Sequence, residues 1–368
     1  MNKIINLKSL TDFSGFYVVY KGSTLNENRD NYGISHLMEH LQCKTFSKLY
    51  DDFDRFGISW NAYTSNTDIV YHFTGLDQYL YKYRHDLVNL LLKFNISEKE
   101  FDTERNVVIQ EYRDCFQDQG SSHYYNLMRK EFGNYGPIGK LESLKKLKYS
   151  DIKDYFNLFL KEPSMIINIS KNNEFKDFDI FSNREKVTYK QTNDNDDPII
   201  EKLAKFDKSS IIGYVDVDSD FSYIQFINKM ISGSMKSPLM QEIREKRGLS
   251  YGVSTYIDNY ANDRGLLTTS LITDDDKVSE VLDVYKKVLS NPKKYLTKDR
   301  FDIVKDYFKI KFKKSEINRY SNVDHLILPE KWDLEKIIDK ITFDEVKKVY
   351  DKYYDFDTLK WSIDKKDF

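Results

Sequence analysis

Apolar positions along the first hundred residues switch between two periods. Residues 14–22 and 58–75 are rich in β-branched and aromatic side chains and close at Gly22 and Gly75, a pattern that predicts strands. Between them, 33–56 places its apolar residues at helical spacing and stops at Gly57, which suits the left-handed turn after a helix. Residues 78–94 and 98–116 predict two further amphipathic helices, and Ser97 with Glu100 three residues on forms a capping-box signature for the second. Strand, helix, strand, helix, helix predicts a two-layer α+β domain, because a sheet with one apolar face must bury it against helices.

The stretch QTNDNDDP (191–198) breaks this pattern: it is polar, acidic and closed by a proline. It reads as an interdomain linker spanning 191–200, dividing a first domain (1–190) from a second (201–368). The pattern then restarts with strand-like 211–217, a helix from about 221 to 246 and strand-like 249–257. FGISWNAYTS (56–65) and RGLSYGVSTY (247–256) align without a gap, Gly57 on Gly248, Ser59 on Ser250 and Trp60 on Tyr251. The same offset sets His36, Glu39 and His40 against Ile227, Met230 and Ile231, so one copy carries polar groups where the other carries core residues. A duplicated domain with the chemistry kept in one copy accounts for this.

Composition narrows the partners. The 368 residues fit two domains of ordinary size. With 57 Lys and Arg against 59 Asp and Glu, no charge excess marks a nucleic-acid or membrane-surface binder. The first twenty residues lack the apolar core and cleavage site of a signal peptide, and stretches such as 87–94 and 164–170 are too short to span a bilayer. Two cysteines, Cys43 and Cys115, form no disulfide framework and suit a reducing compartment, so the cytoplasm is the expected location.

Candidate chemistry lies in NYGISHLMEHLQ (31–42). At about 100° per residue, His36 and His40 lie about 40° apart and Glu39 about 60° to the other side of His36, so all three share one helix face. Two neutral imidazoles one turn apart suit a tetrahedral zinc ion, and a carboxylate beside them that need not ligate can accept the proton of an attacking water. The opposing Ile and Met of the second copy strengthen this, because three ionisable groups at a core-like position are costly without a partner. Zinc needs a third protein ligand. Glu104 and Glu111 of the helix 98–116, seven residues apart and on one face, are both candidates.

HLMEH, the GISWNAYTS strand, TERNVVIQEYRD and REKRGLSY, in that order, resemble the insulinase or pitrilysin peptidases, whose inverted zinc motif reads His-x-x-Glu-His. The resemblance spans nearly the whole chain and is to the single-repeat, processing-peptidase-like members. It implies two homologous domains, each a mainly antiparallel sheet packed on helices, and one zinc per chain. By it, His36, His40 and Glu111 match the zinc ligands, Glu39 the general base and Glu104 the carboxylate that orients a ligand histidine. Asn61, Ala62 and Tyr63 match the edge strand that receives the substrate backbone, and Arg244 and Tyr251 match the pair that the second domain offers to the scissile carbonyl.

The implied activity is a zinc-dependent endopeptidase acting on peptides or short unfolded polypeptides in an enclosed chamber. A maturase for one precursor or leader peptide is the alternative enzyme, and a noncatalytic subunit of the same fold the alternative from another class. The resemblance also implies a partner subunit, because chains of this length supply half of a chamber. Carrying both the zinc motif and Arg244 with Tyr251, the chain is expected to form a homodimer, with a heterodimer as the other arrangement.

Overall fold

The computed structural model describes residues 3–176, 201–261, 263–318 and 323–367, without the side chains of 324 and 325. The linker expected at 191–200 lies outside the described residues. Contacts divide the chain into two units. The first takes Met1–Asp114, Gly133–Pro198 and Ser315–Val323 and the second Cys115–Phe132, Ile199–Lys314 and Asp324–Phe368, as far as those ranges are described.

The first unit holds a five-stranded sheet of β1 (Lys3–Lys8), β2 (Phe13–Lys21), β3 (Ser59–Thr64), β4 (Asp68–Leu76) and β5 (Met165–Ser170). Its order is β1-β5-β2-β4-β3; β1 runs parallel to β5 and the other pairs are antiparallel. The long strand expected over 58–75 is thus a hairpin. Ser65 Oγ accepts the backbone N–H of Thr67 and of Asp68 and turns the chain between its arms.

Helix α1 (Ile34–Thr45) buries Ile34, Leu37, Met38 and Leu41 completely. That face is opposite the one carrying His36, Glu39 and His40, so apolar packing fixes which way the three polar groups point. The helix expected over 33–56 breaks after Thr45. Phe46 leaves the helical region at φ −104° and ψ 12°, and α2 (Tyr50–Phe56) follows before Gly57 closes the run at φ 63°. The start of α1 is held tightly. Both oxygens of buried Glu27 accept backbone N–H groups, from Gly33 at 2.9 Å and Ser35 at 2.9 Å. Gly139 lies so close that a Cβ there would sit 2.5 Å from the Gly33 Cα. Helix α3 (Glu98–Gln117) begins at the expected capping box, with Ser97 and Glu100 exchanging bonds.

In the second unit, helix α4 (Gln119–Phe132) packs on a four-stranded sheet of β6 (Ser209–Val217), β7 (Ser254–Ala261), β8 (Arg264–Thr273) and β9 (Lys360–Asp364), ordered β7-β8-β6-β9. Residues 119–132 thus group with the second unit, whereas the expected division at the linker places them in the first domain. Leu127 and Met128 cluster with Ile212, Tyr214, Tyr260 and Leu266, and His123 lies 2.8 Å from the hydroxyls of Ser210 and Ser362. Helix α5 (Phe221–Ile231) buries Ile227, Met230 and Ile231 in the core with α6 (Val278–Leu289), α7 (Lys298–Ile317) and α8 (Phe343–Tyr353). The expected helix 221–246 ends instead at Ile231, and a wide π-type turn, Met240–Glu245, follows. Gly57 and Gly248 share a left-handed φ, 63° and 60°, but β7 starts at Ser254 rather than opposite Ser59. The ungapped repeat therefore holds at the glycine turn and not along the strands.

Candidate metal centre

His36, Glu39 and His40 leave α1 on its polar face, and Glu104 and Glu111 come from α3, the first buried and the second partly exposed. One ligand atom from each of His36, His40 and Glu111 lies within 4.8 Å of the others. Glu111 Oε2 is 3.4 Å from His36 Nε2 and 3.5 Å from His40 Nε2. Donor atoms about 2.0–2.1 Å from a tetrahedral zinc ion stand roughly 3.3 Å apart, so the two separations from Glu111 fit the group, and the histidine pair stays within 4.8 Å. Burial, then the neighbouring His40, pushes His36 down to about 4, which keeps its imidazole neutral as a metal ligand requires. His36 Nδ1 is buried without a hydrogen-bond partner among the described residues.

His40 is oriented from behind. Its Nδ1 is 3.3 Å from Glu104 Oε2, while Lys44 Nζ sits 2.9 Å from the other Glu104 oxygen. A hydrogen bond at Nδ1 leaves the Nε2 lone pair facing Glu111, the tautomer a metal needs. Glu39 is 8% exposed, and burial raises its carboxyl above the ordinary range, opposed by His40 and by a 3.0 Å hydrogen bond from Thr64 Oγ1. A buried carboxylate held by one oxygen keeps the other for a proton.

The spacing of charged residues identified five of these groups, and it missed Lys44 and Thr64. Lys44 is one turn beyond His40 on α1, a signal present in the sequence. Thr64 depends on which strand covers α1, for which there is no local signal.

Asn61, Ala62 and Tyr63 lie on β3, paired with His72, Tyr71 and Val70 of β4. As the last strand of its sheet, β3 has its other edge unpaired by any described strand. Its side chains alternate, Ser59, Asn61 and Tyr63 exposed and Trp60, Ala62 and Thr64 half-buried. In the second unit, the Arg244 guanidinium lies over the Tyr251 ring, 4.6 Å from its centre, and Tyr251 is 87% exposed. Tyr251 also lines an open cleft of about 780 Å³ with Tyr124, Tyr125 and Tyr256. Buried Glu242, two residues before Arg244, binds Lys246 at 2.6 Å, Arg247 at 2.7 Å and Lys287 at 3.5 Å, tying the turn to α6.

Residues 5–135 match the family model described as insulinase (peptidase family M16), and 149–308 match that of the peptidase M16 inactive domain. An uncharacterized zinc protease of Bacillus subtilis is 24% identical over 290 residues, 73% of this chain and 70% of that protein. One of Rickettsia felis is 24% identical over 365 residues, 89% of this chain and 87% of its own. The crystal structure of a protease from Helicobacter pylori superposes with a TM-score of 0.77 at 17% identity, covering 98% of this chain and 96% of that one. The motif His36 to His40, Glu104 and Glu111 fall in the range matched by the insulinase model rather than by the inactive-domain model.

Proposed function

The chain belongs to the insulinase (M16) peptidase family, and on that premise we propose that it is a zinc-dependent endopeptidase cleaving peptides or short unfolded polypeptides. The observation that carries this reading is the spacing of His36 Nε2, His40 Nε2 and Glu111 Oε2. These three residues hold one zinc per chain. Zinc bound there supplies Lewis acidity to a water and to the scissile carbonyl.

Glu39 takes the proton of the attacking water on the oxygen that Thr64 leaves free. Glu104, braced by Lys44, keeps His40 in its ligand tautomer. The free edge of β3 at Asn61, Ala62 and Tyr63 receives the substrate as an added strand, which demands little of its side chains. Tyr251 and Arg244 donate to the developing oxyanion. A second copy of the chain brings that pair to the zinc of the first, so each site is shared between subunits. No described helix is long and apolar enough to cross a membrane, and unpaired Cys43 and Cys115 support a cytoplasmic location.

Elemental analysis tests the assignment: purified protein should carry close to one zinc per chain, and His40→Ala or Glu111→Ala should lose most of it. Full zinc retention in both variants would sink the reading. A zinc-free wild type would favour the noncatalytic subunit. Cleavage profiling on a peptide library separates a general peptidase from a dedicated maturase.

A further inference from the structure

Helix α7 is apolar on two faces. Phe301, Val304 and Phe308 are 3–7% exposed and enter the second unit's core, with Phe312 packed partly against it. On the opposite face Ile303, Ile310 and Ile317 recur every seven residues, exposed by 69%, 54% and 54%, with Tyr307 at 42% beside them. At 100° per residue the three isoleucines stay within about 40° of one another. Single exposed apolar residues are ordinary on a protein surface. A seven-residue repeat of isoleucine on a helix whose other face already fills a core has the spacing of one of the two apolar rows in a helix pair.

The charges beside the seam say what covers it. Asp306 and Lys314 stand four residues before and four residues after Ile310, and neither forms an ion pair among the described residues. If two α7 helices meet antiparallel about an axis through Ile310, residue 310 + k faces residue 310 − k. Ile310 then meets its own copy, Ile303 meets Ile317, and Asp306 meets Lys314, twice. A parallel pair would set Asp306 against Asp306 and Lys314 against Lys314, which like charges disfavour. The stripe is thus complementary to itself in one orientation, as an isologous two-fold contact must be.

We propose that this face of α7 is a homotypic interface, on which a second copy of the chain docks antiparallel through Ile303, Ile310 and Ile317. It stands apart from the zinc assignment and from the shared active site. If the site is also shared, two isologous contacts per chain build a tetramer when their two-fold axes cross at right angles. If it is not, α7 alone builds a dimer. In either case removing the α7 contact halves the mass.

Sedimentation of the full chain over a concentration series reads that mass. Ile310→Glu, at an exposed position and with an unchanged circular-dichroism spectrum, should halve it. Lys314→Asp should weaken the assembly by facing Asp306 with a like charge, and combining it with Asp306→Lys should restore it, which loss of folding would not do. Under mild oxidation Ile310→Cys should give a covalent dimer absent from the wild-type chain. A monomeric wild type, a mass untouched by Ile310→Glu or an exchanged pair that recovers nothing would overturn the proposal. A monomer that instead captured an unrelated protein on this face would overturn the homotypic pairing as well.

Discussion

Glu39 shows how much of the chemistry rests on single side chains. Its carboxyl is buried, raised in pKa and held at one oxygen by Thr64. Glu39→Gln keeps the shape and removes the proton acceptor, so zinc should remain bound while peptide hydrolysis falls by about 10²- to 10⁴-fold, read by elemental analysis and turnover on one preparation. Turnover by the zinc-loaded variant would point to another base. Glu104→Gln leaves an acceptor for His40 but loses the charge that pairs with Lys44. It should weaken zinc binding about 10- to 100-fold in a chelator competition without abolishing it, the usual size of such supporting contacts. The ligand candidates were legible in sequence because helical spacing converts directly into a shared face. The choice of Glu111 over Glu104 was legible only through the family resemblance, since the two differ in depth and not in direction.

Among the elements, the turn Met240–Glu245 carries Arg244 and depends on Glu242. Burial alone would raise the Glu242 carboxyl, but Lys246, Arg247 and Lys287 hold it down to about 2 from an ordinary 4.5. The folded chain therefore binds fewer protons here than the unfolded chain does between those values. The stability these pairs confer is complete above about pH 4.5 and is lost as pH falls toward 2. Glu242→Gln should flatten that part of the pH dependence of the denaturation midpoint. At neutral pH it should cost about 1–3 kcal/mol, less than a fully buried pair because all three cations still reach water. A pH profile unchanged from wild type would mean that the pairs do not stabilise the fold. Elements with a clean period, such as α1, α3 and β2, were legible from pattern alone. The break at Phe46 was not, because apolar residues continue through it and no glycine or proline marks it; the break at Ile231 is marked, by Gly233 and Pro238 in the mostly polar stretch 232–238, although apolar spacing resumes at Leu239 and Met240. The turn at Ser65 does carry a local signal, the run Ser65, Asn66, Thr67 and Asp68 between two apolar arms.

On the scale of the molecule, a site shared between two copies, as proposed, has a quantitative consequence. Glu39→Gln and Arg244→Ala, each inactive alone, should recover about a quarter of wild-type activity when mixed under conditions that let subunits exchange. Half of the dimers are then mixed, and one site in each of these is intact. No recovery with exchange confirmed would leave Arg244 serving its own chain or a different partner. The placement of α4 was out of reach of the sequence, since its apolar face would cover either sheet equally well and only long-range packing decides. The start of α1 has a consequence of another kind. Glu27 caps it from six residues upstream of Gly33, and Gly139 touches it across more than a hundred residues of chain. The five-residue motif is therefore not a portable cassette. Grafted onto another scaffold it would bring its ligands without the cap, the glycine contact or the Thr64 and Lys44 braces that aim them, and the transplant would keep the spelling while losing the site.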